Sequence, residues 1–535
     1  MGAGTVVEKA HPLLQAEALG RTLADIGSNG APAALVQVIR WLDSFQFEEV
    51  PFPDLARLVV ALDEAAQPQL RYASELYLSN AYGSRSARYK AIGRDYYASL
   101  GRAYDLVMAG LATDFSLEPG NRLRLEMLLR MVRAAAGEMK WVAFDYHELT
   151  EAVWRRAGAA YRAAHAAGGL NVPVTVREGR ETRSTISREF TRLVALQCAS
   201  LDQLPPDRIE ATDKLVRYLQ TSLDLSIEPA DGSLFSIDLA KLAAPRRVLG
   251  AAEPQPGSLR YFRAADAVPM LDELRRMLAE GALDPAFAGV GAGAVASAIR
   301  HLSRQWGPVP PMRQYRRHPV QGSIALATGL GFIRSLISGE ALMRPAAAWS
   351  LTDASRNGFA VSSPNVDGEV CRVGAMVAAN LGDGGRWVLA VVRRVRLGER
   401  GAAMGLQTIS SDPQLLVFDD GSRSWNGILC DVPVAGRGVR IACEPGVLRT
   451  GIHVFAKVAG RLLKLTPAGI LQNGPGYQIV GWSKESNANP TTWSLNKSGT
   501  TACNKGSTIY LVAKNPNPTT KYTYRSEERR VGKEC

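Results

Sequence analysis

Two short stretches bring together side chains suited to molecular recognition. The first, MRQYRRHPV, places Arg313 and Arg317 four residues apart, with Arg316 between them. A spacing of four is nearly in phase on a helix and even on a strand, so the pair points one way in either conformation. Two planar guanidinium forks match phosphate oxygens, or O6 and N7 of guanine. The second stretch, WSLTDASRNGFAV, encloses Asp353, Ser355 and Gly358 between apolar flanks. Asp353 and Ser355 are two apart, so both side chains leave one face of an extended chain. A carboxylate is the natural acceptor for guanine N–H donors. Gly358 permits a positive φ or a close backbone approach just beyond them. Together the clusters suit a ligand that is both anionic and guanine-like. Arg316 is a third candidate: on a strand it points away from the pair, but on a loop it can reach the ligand.

These residues need a scaffold, and periodicity suggests its layout. Residues 32–46 place Ala34, Leu35, Val38, Ile39 and Leu42 on one helical face. Pro53 opens another helix, and the pattern continues over 86–112 and 121–167. The helices are paired and short-looped, like an array of helical hairpins, with no repeat of fixed period. Their many tyrosines read mainly as core, with His147 and His165 on helices. Residues 170–180 form a polar break before a helix at about 182–202. Residues 223–305 read as a connecting region with helices at 266–280 and 287–305. From about 306 the chain changes to short apolar runs divided by Gly, Asp and Asn, which predicts an antiparallel β-barrel or sandwich, placed here as a barrel. The Gly-Asp-Gly-Gly run at 382–385 marks a hairpin within it. The expected plan is multidomain: an α-helical domain at 1–222, the connection at 223–305 and a β-barrel at 306–482.

The chain has 535 residues, 46% hydrophobic and 21% charged, which fits globular domains rather than disorder. No apolar run is long enough for a membrane span, and no signal peptide is visible. Six scattered cysteines without a CxxC fit reduced, mostly buried thiols, so a cytoplasmic location is expected. The formal charge of +12 suits anionic partners without naming one. Part of that charge is suspect. Residues 483–524 contain eight Thr, six Asn, five Lys and no Arg, although the preceding chain favours Arg over Lys. Residues 525–535, RSEERRVGKEC, resemble a translated sequencing-adapter oligonucleotide. The tail at 483–535 is therefore read as foreign, although a genuine Thr/Asn-rich tail is the alternative.

No catalytic constellation is visible. Ser355 has no identifiable base, the six histidines lack metal-ligand spacing, and there is no GxSxG elbow or Walker lysine loop. Gly291-Ala-Gly293 imitates a dinucleotide fingerprint, but without a preceding strand it reads as a helix start. His318, next to the arginines, is a further candidate for lining a pocket. Trp349 and Trp387 read as barrel core rather than stacking platforms. The chain lacks the interleaved basic and aromatic stripe of a single-strand binder, so no nucleic-acid partner is expected.

The order RxxxR, then a barrel strand, then DxSxxG resembles the signature of PilZ domains, bacterial receptors for cyclic di-GMP. Arg313-Gln-Tyr-Arg-Arg317 and Asp353-Ala-Ser355-Arg-Asn-Gly358 carry that resemblance, and the run GGRWVLAVVRRVRL…GLQTIS resembles the family's next strands. A long helical half before such a barrel is similar to the FimW-type cyclic di-GMP-binding proteins. The resemblance implies a non-enzymatic signalling protein without cofactors. Arg313 and Arg317 would take phosphates and guanine edges, Asp353 and Ser355 a guanine, and Gly358 the turn. Arg316, Arg344 or Arg356 would serve a stacked ligand dimer. It implies an output in attachment, type IV pili or motility through a protein partner of the helical half. One departure stands out. Arg317 and Asp353 are 36 residues apart, and the intervening QGSIALATGLGFIRSLISGEALMRPAA looks partly helical, which predicts a reshaped pocket with weak or lost binding. The rival reading is a helical scaffold whose barrel has lost its ligand.

Overall fold

A computed structural model describes residues 11–484, apart from 47–49, 80, 82–85, 114–120, 178–180, 242, 249–256, 265, 308–310, 312–314, 341–346, 366–367, 369, 381, 383–385, 435–436, 448–452 and 459–460. The chain forms two compact units, one of residues 1–316 with 394–402, the other of 317–393 with 403–535.

The first unit begins with helices α1 (Ala16–Ser28), α2 (Ala31–Asp43), α3 (Asp54–Ser79), α4 (Ser86–Thr113), α5 (Arg122–Phe144) and α6 (Glu151–Ala166). On α2 the apolar face expected from spacing is the buried one: Ala34, Leu35, Val38 and Leu42 have no more than 2% exposure. Residues 121–167, read as one helical stretch, are two helices that turn at 145–150. His147 sits in that turn rather than on a helix, because α5 ends at Phe144. His165 lies on α6 as expected. The polar break conceals a hairpin, β1 (Val174–Arg177) with β2 (Glu181–Ser184), before α7 (Ile186–Cys198) and α8 (Pro206–Tyr218).

The connecting region contains more than its two helices, α9 (Ala267–Ala279) and α10 (Ala292–Gln305). It also folds into a four-stranded sheet of β3 (Asp224–Ser226), β4 (Ser233–Asp238), β5 (Arg246–Arg247) and β6 (Leu259–Arg263), in the order β3-β6-β4-β5. These strands are short, and the buried residues of β4 and β6 do not alternate. Gly291 caps α10, so the glycine-rich run is a helix start.

Helix α5 is buried along most of its length, yet it carries charges inward. The Arg130 guanidinium meets Glu126 at 2.9 Å, Glu64 at 2.5 Å and Asp63 at 3.5 Å. Asp63 also accepts from Tyr96 Oη at 2.8 Å. On α7, Arg192 is 1% exposed and donates to Asp213 of α8 at 2.7 Å. Burial pushes the Glu189 carboxyl upward, but the pull of Arg133 and Arg192 leaves it below its ordinary range. Removing one member of such a network strands a buried charge, a loss of about 3–5 kcal/mol.

The second unit opens with β7 (His318–Thr328), α11 (Leu330–Ser338), β8 (Ala347–Ser355), β9 (Gly358–Ser363), β10 (Met376–Asn380), β11 (Trp387–Gly398) and β12 (Gly401–Ser410). These strands close in the order β10-β11-β12-β9-β8-β7, and residues 394–402 of the last hairpin are counted with the first unit. Strands β10 and β11 on either side of the expected hairpin pair antiparallel, whereas residues 383–385 of its glycine-rich run lie outside the described residues. A second closed barrel follows, of β13 (Gln414–Asp419), β14 (Ser424–Leu429), β15 (Val439–Cys443), β16 (Val454–Val458), β17 (Arg461–Gly474) and β18 (Tyr477–Lys484). The region expected to hold one barrel thus holds two. Ser483 and Lys484, assigned above to a foreign tail, complete β18; residues 485–535 lie outside the described residues.

The two barrels share a hydrophobic cluster, beside a separate one inside the second barrel. Ile333 and Leu336 of α11 pack with Ala378, Leu389 and Ile409 of the first barrel and with Ile428 and Ile479 of the second. Tyr477 Oη donates to the Gly374 carbonyl at 2.8 Å across the same junction. Trp349 is buried and Trp387 packs against the shared core, as expected. The four described cysteines, Cys198, Cys371, Cys430 and Cys443, are buried, and none forms a disulfide.

Two measurable consequences follow from these interiors. Glu138, 8% exposed on α5, is held by burial at a pKa of about 7, with Arg156 opposing the rise. Because the folded value is raised, Glu138's contribution to stability is full below its ordinary value near 4.5 and is lost as pH rises through about 7. Glu138→Gln should flatten that slope and add up to about 3 kcal/mol at mildly alkaline pH. Urea unfolding across that range reads it. Ile333→Ala should cost about 2–5 kcal/mol and lower the melting of both barrels in one transition, visible by calorimetry.

Candidate ligand-binding site

Strand β8 carries the second cluster along an irregular ladder. Asp353 pairs with Pro319 on β7 and with Ala360 on β9, and the register shifts next to it on both sides. Thr352 is the extra residue opposite β9, a bulge of the kind that re-aims a side chain. Beyond it the pairing is regular: Ala354 faces Phe359 and Ser355 faces Gly358. Asp353 and Ser355 therefore share a face of the strand, as their spacing requires.

Arg317 comes to Asp353 from the start of β7. Its Nη1 donates to both carboxylate oxygens, at 2.8 and 2.9 Å. Each side chain is about 30% exposed, at 30% and 28%. A charge-assisted contact of this kind is among the stronger hydrogen bonds. The two residues expected to grip a ligand from opposite sides grip each other.

Ser355 Oγ donates to the Gly358 carbonyl at 3.0 Å, closing a two-residue turn at Arg356 and Asn357. The Asn357 carbonyl accepts from the Thr408 amide of β12 at 3.0 Å. Of the two roles open to Gly358, close approach is the one realised. A Cβ there would collide with the Leu406 carbonyl of β12, whereas its φ is not left-handed. The turn thus fits against β12 only because position 358 lacks a side chain.

The remaining candidates are placed less closely. Arg316 is exposed at the end of the first unit. Arg313 and Arg344 lie outside the described residues. Arg356 is exposed in the turn, and His318 is exposed opposite Ala354.

The insert between the motifs has a clear position. α11 leaves from Thr328, whereas Asp353 pairs with Pro319, nine residues back along β7. At about 3.3 Å per residue these points are roughly 30 Å apart along the strand. The extra helix therefore serves the junction of the two barrels, at the opposite end of the ladder from Asp353.

Sequence comparison bears on the other half of the chain. Residues 17–230 match the family model described as the cyclic-di-GMP receptor FimW, N-terminal domain. Over those residues the helical region is similar to the FimW receptors. No curated protein and no solved structure matches. The FimW-type region spans α1 through β3 and stops before Arg313. The family is one of receptors, that is, of proteins that bind rather than transform. Among the described residues no helix is long and apolar enough to cross a membrane, and no cluster of His, Cys, Asp and Glu is arranged to hold a metal ion.

The close approach at position 358 is testable. Gly358→Ala should force β9 from β12 and cost about 1–3 kcal/mol, read by chemical denaturation.

Proposed function

We propose that this FimW-like chain is a cyclic di-GMP-responsive signalling protein that binds its ligand at the Arg317–Asp353 end of the first barrel. Support comes from one observation above all: a closed barrel brings an arginine of RxxxR onto the aspartate of DxSxxG across 36 residues. The FimW-type helical region supports the same ligand from the other half of the chain.

Binding would work by exchange. Asp353 now accepts from Arg317. A guanine offers its own N–H donors to the carboxylate, and a phosphate or the O6/N7 edge offers acceptors to the guanidinium. Ligand thus replaces one internal pair with two external ones. Arg313 and Arg316 would add positive charge for the second phosphate. Ser355 already spends its hydroxyl on the turn, so its part would be to position the strand. The output would be attachment, type IV pili or motility, through a protein partner. Because a ligand shifts only states that it binds unequally, the partner must read a difference between them.

A second reading has its own support. Asp353, Ser355 and Gly358 each have a structural use without ligand, as a helical scaffold with a ligandless barrel would require. Calorimetric titration of the protein with cyclic di-GMP separates the two. Arg313→Ala with Arg317→Ala should weaken binding by roughly a hundredfold, since each charge-assisted contact is worth about 1.5–3 kcal/mol. If the wild type takes up no ligand, the barrel is a scaffold and the receptor reading fails.

A further inference from the structure

The first unit contains a groove that the cyclic di-GMP reading does not use. With Arg394 and Arg396 already among its lining residues, about 200 Å³ of it stays open. Met139, Leu149, Trp154 and Leu196 give it apolar walls, and Glu148 and Asp202 give it carboxylates. Two described non-glycine residues have a left-handed φ, Tyr146 at 54° and Ser200 at 53°, and both line this groove. Left-handed backbone at such residues persists only where the surroundings enforce it. Here Tyr146 Oη is tied to the Leu204 carbonyl at 3.2 Å.

The groove already has an occupant within its own unit, the extended run Arg394-Val-Arg-Leu397. Arg394 and Arg396, alternate residues of a strand, both direct Nε to Asp202 Oδ2, at 3.0 and 2.9 Å. Arg396 also reaches Glu148 at 3.0 Å. The Leu397 amide donates to the Tyr146 carbonyl at 2.8 Å, and His147 pairs with Leu397 as a parallel bridge. Backbone pairing thus fixes the register, and two carboxylates read arginine at alternate positions. This is how a peptide is recognised by strand addition.

The occupant is the end of strand β11. Its two arginines are 40% and 49% exposed, whereas Asp202, which both meet, is only 19% exposed. Of the apolar walls, Met139, Trp154 and Leu196 belong to helices α5, α6 and α7, and Leu149 to the turn between α5 and α6. We infer that this groove is a docking site for an extended segment with arginine at alternate positions, filled here by the chain's own Arg394–Leu397 and open to the same pattern on a partner protein. The inference stands whether or not the barrel binds cyclic di-GMP.

A fluorescent peptide of residues 391–400 tests it on the full chain. The tethered occupant competes at high effective concentration, so Arg394→Ala with Arg396→Ala should bind the peptide at least about tenfold more tightly than wild type. Adding Asp202→Asn and Glu148→Gln should abolish that gain, as should citrulline at both peptide arginines. Independently of any variant, excess peptide should accelerate hydrogen exchange at the Leu397 amide of the wild type. Equal affinity for wild type and the double variant, binding that survives loss of both carboxylates, or an unchanged Leu397 amide would each overturn the proposal.

Discussion

Position 358 has no room for a side chain, and the geometry of the candidate site follows from that. With only hydrogen there, the turn at Arg356 and Asn357 lies against β12, and the Thr408 amide can reach the Asn357 carbonyl. That contact fixes where β8 ends and therefore where its register begins. Two residues are bonded face to face across the turn, one is expelled as a bulge, and Asp353 emerges opposite Pro319 within reach of Arg317. The glycine, the serine and the aspartate are successive constraints on one strand rather than three independent ligand contacts. This explains how such a motif can look like ordinary turn chemistry and still position a carboxylate.

Much of this was legible in the sequence, and the exceptions have physical reasons. Helix α2 could be read because its apolar residues recur at three and four, and the barrel strands because Gly, Asp and Asn separate them. The number of barrels could not be read. Ser411-Asp412-Pro413, the link between the two, has the composition of any hairpin turn. The small sheet between β3 and β6 escaped because its strands are short and their buried residues do not alternate. Arg317 and Asp353 were both identified, but their mutual contact depends on barrel register. The approach of Asp202 to Arg394 and Arg396 was invisible for a stronger reason: nearly two hundred residues separate them. The family match also fell where no motif had been found, on helices whose likeness rested on plan alone.

The helical region shows what that plan must satisfy. Its central helix carries arginines inward, and they meet carboxylates of neighbouring helices. Arg130 draws on two carboxylates from α3 and one from its own helix, and Arg192 ties α7 to α8. Such pairs add little net stability over an apolar core but penalise wrong registers, because a slipped helix would leave a buried ion alone. The tyrosines placed in the core by sequence take part: Tyr96 spends its hydroxyl on Asp63. An interior of this kind favours a single arrangement of its helices over several of similar energy.

The helix inserted between the two motifs bears on modularity. α11 departs from the first barrel and buries Ile333 and Leu336 in an interior completed by strands of the second. Neither barrel closes its hydrophobic surface without the other. That surface is therefore buried only when both barrels are present. A recombination event that carried the strands of the first barrel alone into another protein would deliver a barrel with an open apolar seam along one end.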